Sequence, residues 1–282
     1  MNKNITLSNN PIIIAVDNGY GNIKTENVVF KNGLETYTSE PTVNNDYYKI
    51  RDKYYVIAEN RLTYIGDKTS TNDCRILTQI AIVKEMEYRN IISANIHLAV
   101  GLPLAWCSKS KKQEFIEYLS SNTTSNVIYK NVSYHINILS VNVYPQGFAA
   151  ICGRYNVKGA NVIADIGNGT LNMMQIIDGK PIENSILTER IGIGLCMRVI
   201  QKEVSKLYND NIPETIIEPY LINGCNGTEN NIAAIIKNTA TSYSEEILKK
   251  IYSNGFKPDL MRLYIVGGGA CIIKNFTDII KT

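Results

Sequence analysis

Hydrophobic positions along this chain fall into short β-branched runs broken by polar turns, with stretches of helical spacing between them. That alternation is the pattern of an α/β protein. Residues 12–16, 161–164 and 263–266 read as buried strands, and residues 95–103 as another that ends at a Gly-Leu-Pro break. Strand-like stretches over 23–30 and 171–177 follow the first two runs, and further strands are predicted over 47–50, 54–57, 126–129, 133–143 and 180–187. Helical spacing predicts helices over 77–93, 108–120, 148–155, 195–208 and 213–221. Ser108 or Ser110 would cap the second of these, and Pro213 would open the last. Residues 231–252 read as one helix or two, and a short helix follows Ala270.

Two of the strands run into the same motif. Asp17-Asn18-Gly19-Tyr20-Gly21-Asn22 and Asp165-Ile166-Gly167-Asn168-Gly169-Thr170 each read as strand, tight acidic-glycine turn, strand. Glycine permits positive φ and close approach of backbone to ligand, so amides can point at phosphate oxygens. An Asp at the strand end is placed to hold a hydrated Mg²⁺ beside those phosphates. One copy alone is ordinary turn chemistry. Two copies facing each other would grip a nucleotide from both sides. Gly267-Gly268-Gly269, before Ala270, stands at a third strand end, where a plain corner needs only one glycine. Close approach of a ribose or a flat ring explains the excess. Lys24 reads either as a solvated charge or as a phosphate contact. Gln146, after Tyr144-Pro145, reads either as a polar loop residue or as an amide that orients an attacking water.

Composition changes this picture little. The 282 residues allow two domains, and 44% hydrophobic with 20% charged residues describe an ordinary globular protein. A net charge of +3 is too small to imply nucleic-acid binding. The six cysteines form no C-x-x-C motif, which predicts reduced thiols of a cytosolic protein. His97 and His135 lie in apolar or alternating strands and read as structural. The first ten residues lack the apolar core of a leader, and no apolar run approaches the roughly 20 residues of a membrane helix. A cytoplasmic chain without membrane contact is expected.

Taken in order, these motifs resemble the actin-like ATPase superfamily, and within it bacterial ParM-type and AlfA-type plasmid-segregation actins. Residues 17–24 look like the first phosphate motif, 143–147 the first connecting motif and 165–172 the second phosphate motif. Residues 191–194 look like the second connecting motif and 266–270 the adenosine motif. The resemblance implies an actin-like fold of two ribonuclease-H-like domains flanking a nucleotide cleft. Domain I would span 1–150, with a small insertion near 33–95, and domain II 151–282, with a reduced insertion near 209–230. It leaves open whether the C-terminal helix returns toward domain I.

By position, the resemblance gives Gln146, Asp17 and Asp165 to catalysis, the two carboxylates also holding Mg²⁺ through water. Asn18, Gly19, Tyr20, Gly21, Asn22 and Lys24 would shape the first phosphate loop. Gly167, Asn168, Gly169 and Thr170 would shape the second, while Gly194 and Gly267–Ala270 hold ribose and base. The implied activity is hydrolysis of ATP, or GTP, by head-to-tail filaments that segregate plasmid DNA. The implied partner is a centromere-binding adaptor, with no direct nucleic-acid contact. A small-molecule kinase of the same superfamily and a nucleotide-bound scaffold with negligible turnover stand as alternatives.

Overall fold

The computed structural model describes residues 6–7, 10–42, 46–59, 62, 67–106, 108–147, 151, 156, 158–225 and 230–278. The chain divides into two compact units, Met1–Gln146 and Gly147–Thr282. Each has its own sheet and its own apolar core.

In the first unit the elements are β1 (Thr6–Leu7), β2 (Ile12–Asn18), β3 (Asn22–Lys24), β4 (Val29–Lys31), β5 (Leu34–Tyr37), β6 (Tyr47–Ile50) and β7 (Lys53–Ile57). Then come α1 (Asp73–Tyr88), β8 (Ile91–Leu102), α2 (Lys109–Ser120), β9 (Thr124–Tyr129) and β10 (Val132–Pro145). The strands form one sheet in the order β4-β3-β2-β8-β10-β9-β6-β7-β5, with β1 also on β8. At its centre β2, β8 and β10 run parallel, so their C-terminal ends open on one edge. Ile14, Val16, Ile96, Leu98 and Val100 alternate inward from two of these strands and meet Leu77, Ile80 and Val83 of α1 in the core.

The expected insertion over 33–95 is not set apart. Strand β6 pairs with β9, so β5–β7 continue the main sheet, while α1 packs on β2 and β8. The helix expected over 77–93 runs instead from Asp73 to Tyr88. Asn90 takes a left-handed φ of 59°, and Ile91 and Ile92 begin β8. Two isoleucines satisfy a helical stripe as well as a strand, so periodicity could not place that boundary. The stretch over 23–30 is likewise two strands. Thr25 N donates to Val28 O at 2.8 Å and closes a turn between them. Ser108 does cap α2, accepting from Lys111 N at 3.4 Å.

The second unit contains β11 (Ala160–Ile166), β12 (Leu171–Ile177), β13 (Lys180–Glu189), α3 (Ile193–Tyr208), α4 (Glu214–Asn223), α5 (Asn231–Ser253), β14 (Met261–Val266) and α6 (Ala270–Phe276). The sheet order is β13-β12-β11-β14, with β11 and β14 parallel. Residues 231–253 form one helix, capped by Asn230, which accepts from Ala233 N at 2.7 Å. Pro213 is extended, with ψ 146°, and precedes α4 rather than opening it. Ile217 and Leu221 of α4 join Ile200, Ile236 and Ile247 in the core, so this short helix is part of the unit's packing. The helix expected over 148–155 lies, apart from Ile151, outside the described residues, as do Cys107 and Cys152. Cys74, Cys196, Cys225 and Cys271 are free thiols. Among the described residues no helix is long and apolar enough to cross a membrane.

One buried charge ties α1 to the turn behind the first motif. Glu85 is 0% exposed and accepts from Thr25 Oγ1 (2.6 Å), Asn27 N (3.2 Å), Asn27 Nδ2 (2.7 Å) and Arg89 Nε (2.7 Å). Burial alone would raise its pKa, but these hydrogen bonds outweigh it and hold the carboxyl below 4.5. A carboxyl depressed on folding stabilises the protein above its unfolded value, and that contribution is lost as pH falls through the folded value. Glu85→Ala should therefore lower the unfolding free energy by about 3 kcal/mol in urea titrations at pH 7. The gap from the parent should shrink once the pH drops below 4.5. A pH-independent gap would mean that packing, not the charge, is responsible.

Candidate functional site

Both acidic-glycine motifs stand at the C-terminal edge of parallel strands, the place where open α/β sheets bind ligands. In the first unit Asp17 lies one residue beyond the Val16–Val100 pair, and Tyr144 of β10 is paired with Gly101 of β8. Gln146 N donates to Leu102 O at 2.8 Å, carrying the ladder one residue past the end of β10. That pairing brings the Gln146 side chain over Gly101, where Nε2 donates to Asp17 Oδ1 at 2.9 Å. A Cβ on Gly101 would lie 2.9 Å from Gln146 Cγ and 3.4 Å from Asp17 Oδ1. The carboxylate and amide can meet because residue 101 has no side chain.

The rest of the first motif is clamped from outside. Asn32 Nδ2 donates to Gly19 O at 2.7 Å, and Asn32 N to Gly21 O at 3.0 Å. Asn18 is 2% exposed, and its Nδ2 donates to Thr78 Oγ1 of α1 at 3.1 Å, so its side chain ties the turn to the helix. The Lys68 ammonium donates to Asn18 O and stands 4.8 Å over the Tyr20 ring. Burial pushes its pKa down, opposed by the nearby Cys74 and Asp17. Lys24 pairs with Asp17 across the hairpin. The turn glycines are not used for unusual backbone angles: Gly19, Gly21, Gly167 and Gly169 are all absent from the positive-φ residues. Gly19 instead permits a tight turn, since a Cβ there would lie 2.7 Å from Asn22 O.

In the second unit Asp165, one residue before the end of β11, pairs with Val266 of β14. Gly267 follows with φ +85°, and a Cβ there would fall on Asp165 Oδ1 and Ile166 O. Gly147 approaches the same carboxylate, its Cβ position 3.2 Å from Asp165 Oδ2. The turn itself is closed by Gly167 N to Thr170 O at 2.8 Å. It is then held by the start of α3, where Ile193 N donates to Gly167 O at 3.0 Å and Gly194 N to Asn168 O at 2.8 Å. Gly194 is thus buried against the 167–170 turn. Thr170 is 4% exposed and its Oγ1 accepts from Asn172 Nδ2 at 3.2 Å, which turns its hydroxyl inward. Gly269 N donates to Ile166 O at 2.9 Å, and Ala270 N to Gly267 O at 3.2 Å, while Gly267 and Gly268 remain exposed.

The structure therefore gathers Asp17, Gln146 and the 18–22 turn in one unit, and Asp165, the 167–170 turn, Gly194 and 267–270 in the other. Sequence reasoning missed the support: Asn32, Lys68 and Thr78. Asn32 carries a turn signal, while Lys68 and Thr78 carry none. Gly101 was visible only as a strand break. His97 and His135 are structural, with Nδ1 atoms 2.8 Å from Ser140 Oγ and 2.6 Å from Asn126 Oδ1. Among the described residues no three His, Cys, Asp or Glu groups converge on a metal position. Asp17 and Asp165, each taken by itself, offer the hard oxygen donors that suit an ion such as Mg²⁺, which keeps most of its waters and takes few protein carboxylates.

Residues 15–148 match the family of actin-like proteins, N-terminal domain. No curated protein matches the sequence. In structure the chain is similar to a 15-stranded ParM filament from Clostridium botulinum, with TM-score 0.72 and 17% identity over 96% of this chain and 92% of that one. It is similar to a Bacillus thuringiensis ParM with ATP, with TM-score 0.72 and 13% identity over 97% and 92%. It is also similar to an archaeal actin homologue in complex with ADP, with TM-score 0.72 and 15% identity over 95% and 90%. With the N-terminal domain matched by family and the whole chain matched in structure, this protein has an actin-like N-terminal domain and the actin-like fold.

Proposed function

We propose that this chain is an actin-like nucleoside triphosphatase that assembles head to tail into filaments with bound Mg-ATP or Mg-GTP and hydrolyses the nucleotide to make them unstable. The filaments would move plasmid DNA in the cytoplasm through a centromere-binding adaptor, without direct nucleic-acid contact. The observation that carries the reading is the Gln146 amide, held 2.9 Å from Asp17 at the open edge of the parallel strands. With Nε2 committed to Asp17, the amide oxygen is the group left to accept a proton of the attacking water. A neutral amide orients water without deprotonating it, as Gln does in other nucleotide hydrolases. Transfer to an alcohol would call for a carboxylate base at that position.

Amides of the 18–22 and 167–170 turns would take phosphate oxygens, and residues 267–270 would take ribose and base. Asp17 and Asp165 would hold the hydrated Mg²⁺, which when bound neutralises charge on the phosphoryl oxygens. Most of the acceleration would then come from preorganised dipoles, since the turns are already clamped by Asn32, Thr78 and the start of α3. Filament formation is supported by the likeness to a ParM filament, and a head-to-tail contact is a heterologous interface that need not close.

Light scattering with ATP, GTP, ADP and no nucleotide, read beside phosphate release, tests the whole reading. Scattering should rise with a triphosphate and decay as phosphate appears; a flat trace at high protein concentration with every nucleotide would sink it. Asp165→Ala should abolish phosphate release, and parent-level turnover in that variant would remove Asp165 from the mechanism. Gly101→Ala should displace Gln146 and lower kcat by roughly 10- to 100-fold. Fluorescence titration should show ADP affinity within about twofold of the parent, an unchanged ground state being the mark of a lost transition-state contact. If kcat survives Gly101→Ala, the placement of Gln146 is immaterial.

A further inference from the structure

Two carbonyls of the first acidic-glycine turn are held from behind by donors of different chemistry. Gly19 O accepts from a neutral amide, Asn32 Nδ2, at 2.7 Å. Asn18 O accepts from the ammonium of Lys68, a residue 8% exposed. Asn32 shows that a neutral donor is enough to hold a carbonyl of this turn. Burying an ammonium costs several kcal/mol more than burying an amide, so fixing the turn does not by itself account for a charge at Asn18 O.

The ammonium is held in place from both ends. Asp67 closes the turn that carries Lys68, accepting Thr69 N on Oδ1 at 2.9 Å, and Ser70 N at 3.3 Å and Ser70 Oγ at 2.7 Å on its carbonyl. At the far end Nζ stands 4.8 Å over the Tyr20 ring, and a carbonyl and an aromatic face both favour the charged form. Burial pushes the Lys68 pKa down, and the nearby Cys74 and Asp17 oppose that. Among the described residues no carboxylate forms an ion pair with it. The cavity beside it measures about 40 Å³, room for about one water at roughly 30 Å³ each and too small for a phosphate group.

What the charge can act on is the peptide it holds. No peptide bond among the described residues is cis, so the Gly19 N–H points away from Asn18 O, on the side of the turn opposite Lys68. Drawing electrons toward Asn18 O makes that N–H a stronger donor, since linked hydrogen bonds polarise one another. We propose that Lys68 is a positioning residue for phosphate, its charge relayed through the Asn18–Gly19 peptide so that the Gly19 amide grips a phosphoryl oxygen of the triphosphate. The inference rests on the nucleotide reading above and adds to it the group that supplies positive charge to the first turn.

Isothermal titration calorimetry on the full chain with Mg²⁺, comparing β,γ-imido-ATP with AMP and the guanine pair beside them, tests this. Lys68→Met should weaken the imido triphosphate by about tenfold or more, a loss of about 1.4 kcal/mol, and the monophosphate by no more than about twofold. A part in folding alone would weaken both nucleotides alike. Lys68→Arg keeps the charge, and the cavity beside residue 68 leaves room for the larger head, so it should bind both within about threefold of the parent. Should Lys68→Met fail to fold by circular dichroism, Lys68→Gln, a neutral donor, takes its place and should show the same selective loss. Unchanged triphosphate affinity, equal losses for the two nucleotides, or an arginine variant as weak as the methionine one would each overturn the proposal and leave the nucleotide reading standing. A parent chain that binds no triphosphate would remove both.

Discussion

The chemistry of this protein depends on how closely neighbouring strands approach a carboxylate at the end of a parallel pair. In the first unit the empty side of Gly101 lets Gln146 cross β8 and reach Asp17. In the second unit Gly267, turned to φ +85°, passes so near Asp165 that a side chain would fall on its carboxylate. The arrangement is alike in both: an Asp near the end of one strand lies beside a glycine near or just past the end of its parallel neighbour. At both glycines a side chain would crowd the groups packed beside the carboxylate.

The acidic-glycine turns are also kept in shape by residues outside the motifs. Asn32 bonds two carbonyls of the first turn, Asn18 is drawn into α1 by Thr78, and buried Lys68 holds Asn18 O. In the second unit the first amides of α3 do this work on Gly167 and Asn168. A turn whose carbonyls are already occupied has its amides facing a fixed direction, and such preorganisation is what electrostatic stabilisation of a phosphoryl group requires. Burial of Glu85 behind the Thr25–Val28 turn extends the same support into the core.

Several motif residues are themselves tied into the fold. Asn18, Thr170 and Gly194 belong to the recurring patterns, yet their polar groups are spent on Thr78, Asn172 and Asn168 within the fold. None of the turn glycines takes positive φ, and among them Gly19 is the one a side chain would crowd, at 2.7 Å from Asn22 O.

Local pattern determined a good deal of this protein. The β-branched runs ending at Asp17, Asp165 and Gly267, the paired acidic-glycine turns, and the order of the five motifs are set by residues adjacent in sequence, because strand and turn preferences act over a few residues. Boundaries were less legible where one residue type suits two states, as at Ile91–Ile92. What only the tertiary structure decided are contacts between residues far apart along the chain: Gln146 on Asp17 across Gly101, Asn32 on Gly19, and Lys68 on Asn18. Such meetings follow from strand order and register, to which no local run of residues is sensitive.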